Sequence, residues 1–240
     1  MKIDELIALA AEQPTRISRR SGVSRSTLKR VGDGTSEPTL STLREVALAL
    51  GLDIKVAAHH ACDPFAAAAA RTLIDASVPE NPHNQDILAW LHRFERWNIN
   101  DPLTLVSEAG TLQGITHRQD AQFVKLNPRG IAELPELFQQ HKTKWALSGA
   151  AAATVIMGQI VLGNSIVWHE PAHDLDVSAL GTIVDVAEDA DLILLPATAT
   201  ELVGSYTQDR LNFVAPVQLV IDLHSLHMFE EADYLTSGWR

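Results

Sequence analysis

Between Thr15 and Val31 the chain carries six bases (Arg16, Arg19, Arg20, Arg25, Lys29, Arg30) and no acid, and Gly22 sits in the middle of that run. The bases fall on two short segments either side of that glycine, and the residues around them read as helices. Ile3, Leu6, Ile7 and Ala10 recur at helical spacing and predict an opening amphipathic helix, ended at Gln13-Pro14 because proline disfavours helical geometry in the residue before it. Thr15 is expected to cap a second helix through Ser21, and Gly22 to supply the permissive backbone of a tight turn. Ser24 is expected to cap a third helix, Arg25 to Val31, stopped by Gly32-Asp33-Gly34. A fourth is predicted from Thr39 to Leu50, with Leu40, Leu43, Val46, Ala47 and Leu50 on one face and Gly51 closing it.

Net charge is −11, which by itself argues against a nucleic-acid partner. The distribution reverses that: residues 1–60 hold nine Lys or Arg against seven Asp or Glu, a balance of +2, leaving −13 on the remainder. Salt screens charges beyond about 8–10 Å, so a local basic face matters more to a polyanion than the sum over the chain.

The segment from Ile17 to Val31, with small Ser18, the turn glycine Gly22, and apolar Val23, Leu28 and Val31, resembles the phage-repressor (Xre-like) helix-turn-helix family. Pro38-Thr39-Leu40-Ser41-Thr42-Leu43 resembles the start of that family's next helix. The resemblance covers about a quarter of the chain and implies a DNA-binding domain over residues 1–58. It implies that Ser24, Arg25, Ser26, Lys29 and Arg30 face the major groove, with Arg16, Arg19 and Arg20 nearer the phosphates. Asp33 departs from the pattern by adding an acid beside the groove helix. The alternative reading of the same bases is a solvated face on a helical bundle that binds protein.

His59-His60-Ala61-Cys62-Asp63-Pro64 reads as a linker, and residues 59–83 as linker plus a short helix, Phe65 to Ala76, built on an alanine run. Three metal ligands within four residues make a poor tetrahedral set, so Cys62 with His59 and His60 is assigned no ligand role. From Asn84 a helix is expected with Ile87, Leu88, Leu91, Phe94 and Trp97 on its apolar side. Asn100-Asp101-Pro102 starts another, closed by Gly110 and Gly114. Phe123 to Leu126 reads as a strand, and Leu134–Gln140 as a helix. Residues 84–140 are open to two readings, a separate helical or winged-helix subdomain or packing around the C-terminal sheet.

The rest alternates short apolar elements. Trp145 to Trp168 contains no charged residue and is long enough to span a bilayer, but Ser148, Thr154, Gln159, Asn164 and Ser165 interrupt it, and a buried helix followed by a buried strand is expected instead. Strands are expected at Trp145–Gly149, Ser165–Trp168, Leu175–Val177, Ile183–Val186, Leu192–Leu195 and Phe213-Val214, with helices at Ala150–Met157 and Val217–Leu226. Residues 84–240 thus read as a mixed α/β domain and the whole chain as α+β, an all-α helix-turn-helix bundle followed by a helical connecting region and that domain.

Two pieces of the C-terminal domain, Leu147-Ser148-Gly149-Ala150-Ala151-Ala152 and Ala215 to Leu223, resemble the C-terminal domain of AbiEi-type antitoxins. A helix-turn-helix of the Xre-like kind in front departs from that family's winged helix. The region also resembles the nucleotidyltransferase fold, which pairs an early Ser-Gly, here Ser148-Gly149, with a later Asp-x-Asp, here Asp174-Leu175-Asp176. Alternating carboxylates on one strand point the same way and would hold Mg²⁺. The long interval between the motifs and His173 beside the pair depart from the family, and only Asp185 and Asp191 offer a third carboxylate. His169 and His173 flank Pro171 and share no helix face, whereas His224 and His227 lie three apart on the last helix. No phosphate loop of the Walker or dinucleotide type and no Gly-x-Ser-x-Gly elbow occurs.

These features lead to the expectation of a cytoplasmic, sequence-specific DNA-binding transcriptional regulator, an autorepressing antitoxin of a toxin–antitoxin or phage-defence locus. It is read as a non-enzyme without cofactor, metal or membrane span. The single Cys62 and an acid-bearing Met1-Lys2-Ile3-Asp4-Glu5 start underlie the compartment. The expected partners are an inverted-repeat DNA operator, a second copy of the chain, and a cognate toxin. The rival readings are a nucleotidyltransferase with a DNA-binding head and a ligand-sensing repressor.

Overall fold

In a computed structural model, which describes residues 3–79, 83–172 and 175–239, the chain is mixed α+β, with eleven helices and one seven-stranded mixed sheet among the described residues. It divides into two compact units, Met1–His59 and His60–Arg240.

The first unit is four helices: α1 Ile3–Glu12, α2 Pro14–Ser21, α3 Arg25–Gly32 and α4 Leu40–Ala49. Leu6, Ala10, Ile17, Leu43, Val46, Ala47 and Ala49 are buried, and Val23, Leu28 and Leu50 pack against them. Ile3 and Leu40, expected on the apolar faces, are more than half exposed. Each opens its helix, and side chains lean toward the helix N-terminus, past the end of the bundle. Thr15 is not a cap. Pro14 takes the first helical position, where its missing N–H costs nothing, and Gln13 stands outside with no capping bond from its side chain.

The second unit wraps α5 Pro64–Ile74, α6 Gln85–Arg96, α7 Pro102–Gln113, α8 Gly130–His141, α9 Gly149–Met157, α10 Pro216–Ser225 and α11 Phe229–Thr236 around a sheet. Its strands are β1 Gln122–Leu126, β2 Trp145–Ser148, β3 Ser165–His169, β4 Gly181–Val184, β5 Leu192–Pro196, β6 Tyr206–Gln208 and β7 Leu211–Phe213, in the spatial order β4-β1-β5-β3-β2-β7-β6. The β3–β5 and β2–β7 pairs are parallel and the others antiparallel. Every residue of β2 and β3 is buried, as is β5 up to Pro196; strands covered on both faces are apolar at successive positions and do not alternate, with the buried polar residues Ser148, Ser165 and His169 at strand ends. The helix α10 is sequestered nearly all round, with Gln218 through Ser225 all buried.

Several expectations change here. The alanine run lies in no connecting segment: Ala66 to Ala70 are all buried in the core of the second unit, where small side chains let α5 approach α7 and α10 closely. Residues 84–140 supply α6, α7, β1 and α8 to that same core, and β1 lies between β4 and β5. Gly110 does not close a helix; α7 runs through it to Gln113 and ends at left-handed Gly114. Leu175–Val177 is not a strand, because Asp176 accepts the Ser178 N–H at 3.0 Å and folds Val177–Ala179 into a 3₁₀ turn. The run Ile183–Val186 is a sheet edge, where β4 pairs with β1 alone among the described residues, and Ile183 is exposed rather than buried. The uncharged stretch from Trp145 to Trp168 is divided among β2, α9 and β3, and among the described residues no helix is long and apolar enough to cross a membrane.

Candidate nucleic-acid interface

The eight residues singled out in the first unit lie on α2, α3 and the turn between them. Gly22 holds φ +72° and returns its N–H to Ser18 O at 3.1 Å. A Cβ there would meet nothing within 4 Å, so the requirement is conformational and not spatial. Buried Ser21 locks the turn, donating to Ile17 O at 2.7 Å and accepting the Val23 N–H at 3.1 Å. Ser24 then starts α3: its Oγ accepts the Thr27 N–H at 3.1 Å and lies 2.8 Å from the hydroxyls of Ser26 and Thr27. Ile17 from α2, Val23 from the turn and Leu28 from α3 share one core with Ala10, Val46 and Ala49, which fixes the two short helices against each other.

With those apolar positions facing inward, the polar ones face out. Arg16, Arg19, Arg20, Ser24, Arg25, Ser26, Lys29 and Arg30 are all exposed. Arg25 and Lys29 stand one turn apart on α3, as do Ser26 and Arg30, while Arg16, Arg19 and Arg20 share a face of α2. Arg16 donates to Gln13 Oε1 at 2.9 Å, and none of the six bases makes an ion pair among the described residues. Asp33, the departing acid, sits at the C-terminal cap of α3, the opposite end from Ser24. Eight residues of helix, roughly 12 Å, separate it from the first turn. The bases run from α2 through the Ser24-capped turn to the last turn of α3, an exposed cationic strip whose chemistry suits an anion such as phosphate.

The transferase candidates are not assembled in the same way. Ser148 is wholly buried and donates to Asp222, not to an open site. Asp174 and His173 lie outside the described residues, and Asp176 is exposed, occupied with its turn, and off any strand. Asp191 pairs with Lys125 at 2.8 Å and accepts the Leu126 N–H, and Asp185 is exposed beyond β4. His169 is buried with Nδ1 2.8 Å from Glu170 O, and burial lowers its pKa. His224 lies buried on α10, while exposed His227 follows the helix in a left-handed conformation, so their expected shared face is absent. Cys62 is exposed, and among the described residues no three His, Cys, Asp or Glu gather to hold a metal ion.

A buried polar network in the second unit has no counterpart in the sequence reading. Arg71 is fully buried and binds Asp75 through two bonds of 2.8 and 2.6 Å, the carbonyls of Thr200 and Val203, and Gln218. Gln218 donates to Asp222 Oδ1 at 2.8 Å, and Ser148 and Trp168 donate to Asp222 Oδ2 at 2.6 and 2.9 Å. Burial pushes the Asp222 carboxyl up to about 6, against the three donors that favour its charged form, and nearby Glu201 adds to the rise. The network ties α5, α10, β2 and β3 together. The signal for it was a lone acid, Asp222, within the apolar stretch Leu219 to Leu223.

Comparison of the chain with protein-family models, with curated proteins and with solved structures finds no match in any of the three.

Proposed function

We propose that this chain is a sequence-specific DNA-binding regulator that lays α3 in the major groove. One observation carries the reading: six bases lie along α2 and α3, all exposed and without ion pairs among the described residues, on either side of the Ser24-capped turn in a chain of net charge −11. On this reading Arg25, Lys29 and Arg30 reach base edges, with Ser24 and Ser26 beside them, while Arg16, Arg19 and Arg20 contact phosphates. A single such unit with a balance of +2 binds weakly, so the working form is a dimer on an inverted repeat, its half-sites about 34–36 Å apart or a multiple of that.

The proposal extends to an autorepressing antitoxin. Supporting it, the two antitoxin-like segments meet where Ser148 donates to Asp222 at 2.6 Å. A transferase is not favoured, since Asp176 caps a 3₁₀ turn where that chemistry needs a strand-borne pair. The DNA-binding reading is tested by selecting duplexes from a random library with the full chain and measuring the selected sequence against a scrambled one. A preference of at least about a thousandfold supports it, and equal affinity for both refutes it.

A further inference from the structure

The second unit is acidic overall, yet its few bases are not scattered. Residues after 60 hold ten of the nineteen Lys and Arg, against twenty-three Asp and Glu. Four of those ten, Arg129, Lys142, Lys144 and Arg210, line one cleft between α8 and the β6–β7 hairpin. The cleft comprises a hollow of about 650 Å³ and an adjoining one of about 510 Å³, with Pro135 and Arg210 in the walls of both. Arg129, Lys142 and Arg210 are exposed and make no ion pair among the described residues; Lys144 lies 3.5 Å from Glu170. Two acids, Glu136 and Asp209, also border the cleft, so bases outnumber acids there four to two. Its floor is apolar, from Leu126, Ile131 and Leu211. Arg210 is held at the hairpin tip by a two-residue turn in which Asp209 and Arg210 have φ of 48° and 69°.

Such a cleft suits an acidic segment that also carries large apolar side chains, and the chain contains one. In α11, Ala232 and Thr236 face the core, while Glu230, Asp233 and Tyr234 are exposed on the outer side, Tyr234 at 58%; Phe229 opens the helix half exposed, its ring against those of His224 and His227. Glu231 adds a third acid, and α11 carries no base. At eight residues α11 is roughly 12 Å long, shorter than the roughly 18 Å of α8 along the cleft wall. Two units of charge −13 repel unless opposite signs meet locally, and an acidic helix on a basic cleft is such a meeting.

We propose that the basic cleft between α8 and the β6–β7 hairpin receives the outer face of α11 from a second copy of this chain. A two-fold axis fills both clefts at once and closes the assembly as a dimer. This names the contact behind the dimer of the functional reading. Its test contains no DNA, so its failure and the failure of DNA recognition are separately visible.

The test is charge exchange in the full chain, followed by sedimentation. The cleft variant Arg129→Glu/Arg210→Glu and the helix variant Glu230→Lys/Asp233→Lys each place like charges together, and each should weaken self-association by about a hundredfold or more. An equimolar mixture of the two restores opposite charges at both contacts and should dimerise within about tenfold of the wild type. Circular dichroism and melting establish that each variant is folded; if either is not, the neutral pair Arg210→Gln and Asp233→Asn takes its place, each expected to weaken the dimer about tenfold. A monomeric wild type, a variant that dimerises as the wild type does, or charge-reversed variants that stay monomeric when mixed would overturn the proposal.

Discussion

Ser148 at the end of β2 donates its hydroxyl proton to Asp222 in the middle of α10, at 2.6 Å and across 74 positions of sequence. The bond joins the sheet to its central helix with both residues fully buried, so the ionisation of Asp222 is coupled to folding. Its carboxyl sits near 6 in the fold against an ordinary 3.8, which means the folded chain holds the proton more tightly than the unfolded one. The resulting stability is complete below about pH 4 and is lost as pH rises through about 6, a change of roughly 3 kcal/mol at most. Denaturant unfolding of the wild type and Asp222→Asn from pH 4.5 to 8 should show wild-type stability falling relative to the variant up to about pH 6.5 and parallel behaviour above it. Curves parallel throughout would contradict the coupling. Ser148→Ala should cost about 1–3 kcal/mol by leaving a buried carboxylate short of a donor.

A second close approach joins α7 to α10. A Cβ on Gly110 would lie 2.5 Å from both Ile221 O and His224 Cβ, so Gly110→Ala must push two buried helices apart. In an open helix interior the same change stabilises by up to about 1 kcal/mol, so the sign of the effect separates packing from propensity. Gly110→Ala should lose about 1–3 kcal/mol. Gly32→Ala, where a Cβ meets nothing within 4 Å, should be neutral or slightly stabilising. Thermal melts of both variants decide it.

How much of this was legible in the sequence depends on the range of the interaction. The Ser24 cap, the Gly22 turn and apolar Val23 and Leu28 are local, and the structure has them where their spacing puts them; Val31, expected with them, is half-buried and joins neither apolar cluster of the first unit. Strand cores such as Leu192–Leu195 announce themselves by composition. The place of Gly110, by contrast, depends on Ile221, and the burial of Arg71 on Thr200 and Val203, partners more than a hundred positions away that leave no mark on neighbouring residues. Leu175–Val177 misled as a strand because two apolar residues around an acid suit a strand and a turn equally well, and the Asp176–Ser178 bond selected the turn.

Within the first unit, Ser24→Ala removes the acceptor for the Thr27 N–H, and Gly22→Ala places a Cβ at φ +72°. Each should lower the stability of that unit by about 1 kcal/mol. Amide hydrogen exchange on the full chain should show faster exchange across α2 and α3 in both variants, with the second unit unchanged. Protection equal to wild type in α3 would contradict the capping role of Ser24.

Arg16 and Arg19 are assigned to phosphates. Replacing either by Ala should weaken binding to all duplexes alike and reduce the slope of log affinity against log salt by about 1. A loss confined to the selected sequence would reassign them to base reading.

The most direct test of the DNA-reading account is the Arg25→Ala/Lys29→Ala double variant, titrated by gel shift on the selected duplex and on a scrambled one. If α3 lies in the groove, each side chain contributes about 1–3 kcal/mol to discrimination, so affinity for the selected duplex should fall roughly thirtyfold to twenty-thousandfold while scrambled binding changes far less. Unchanged affinity for the selected duplex, in a variant that melts like the wild type, would contradict the account.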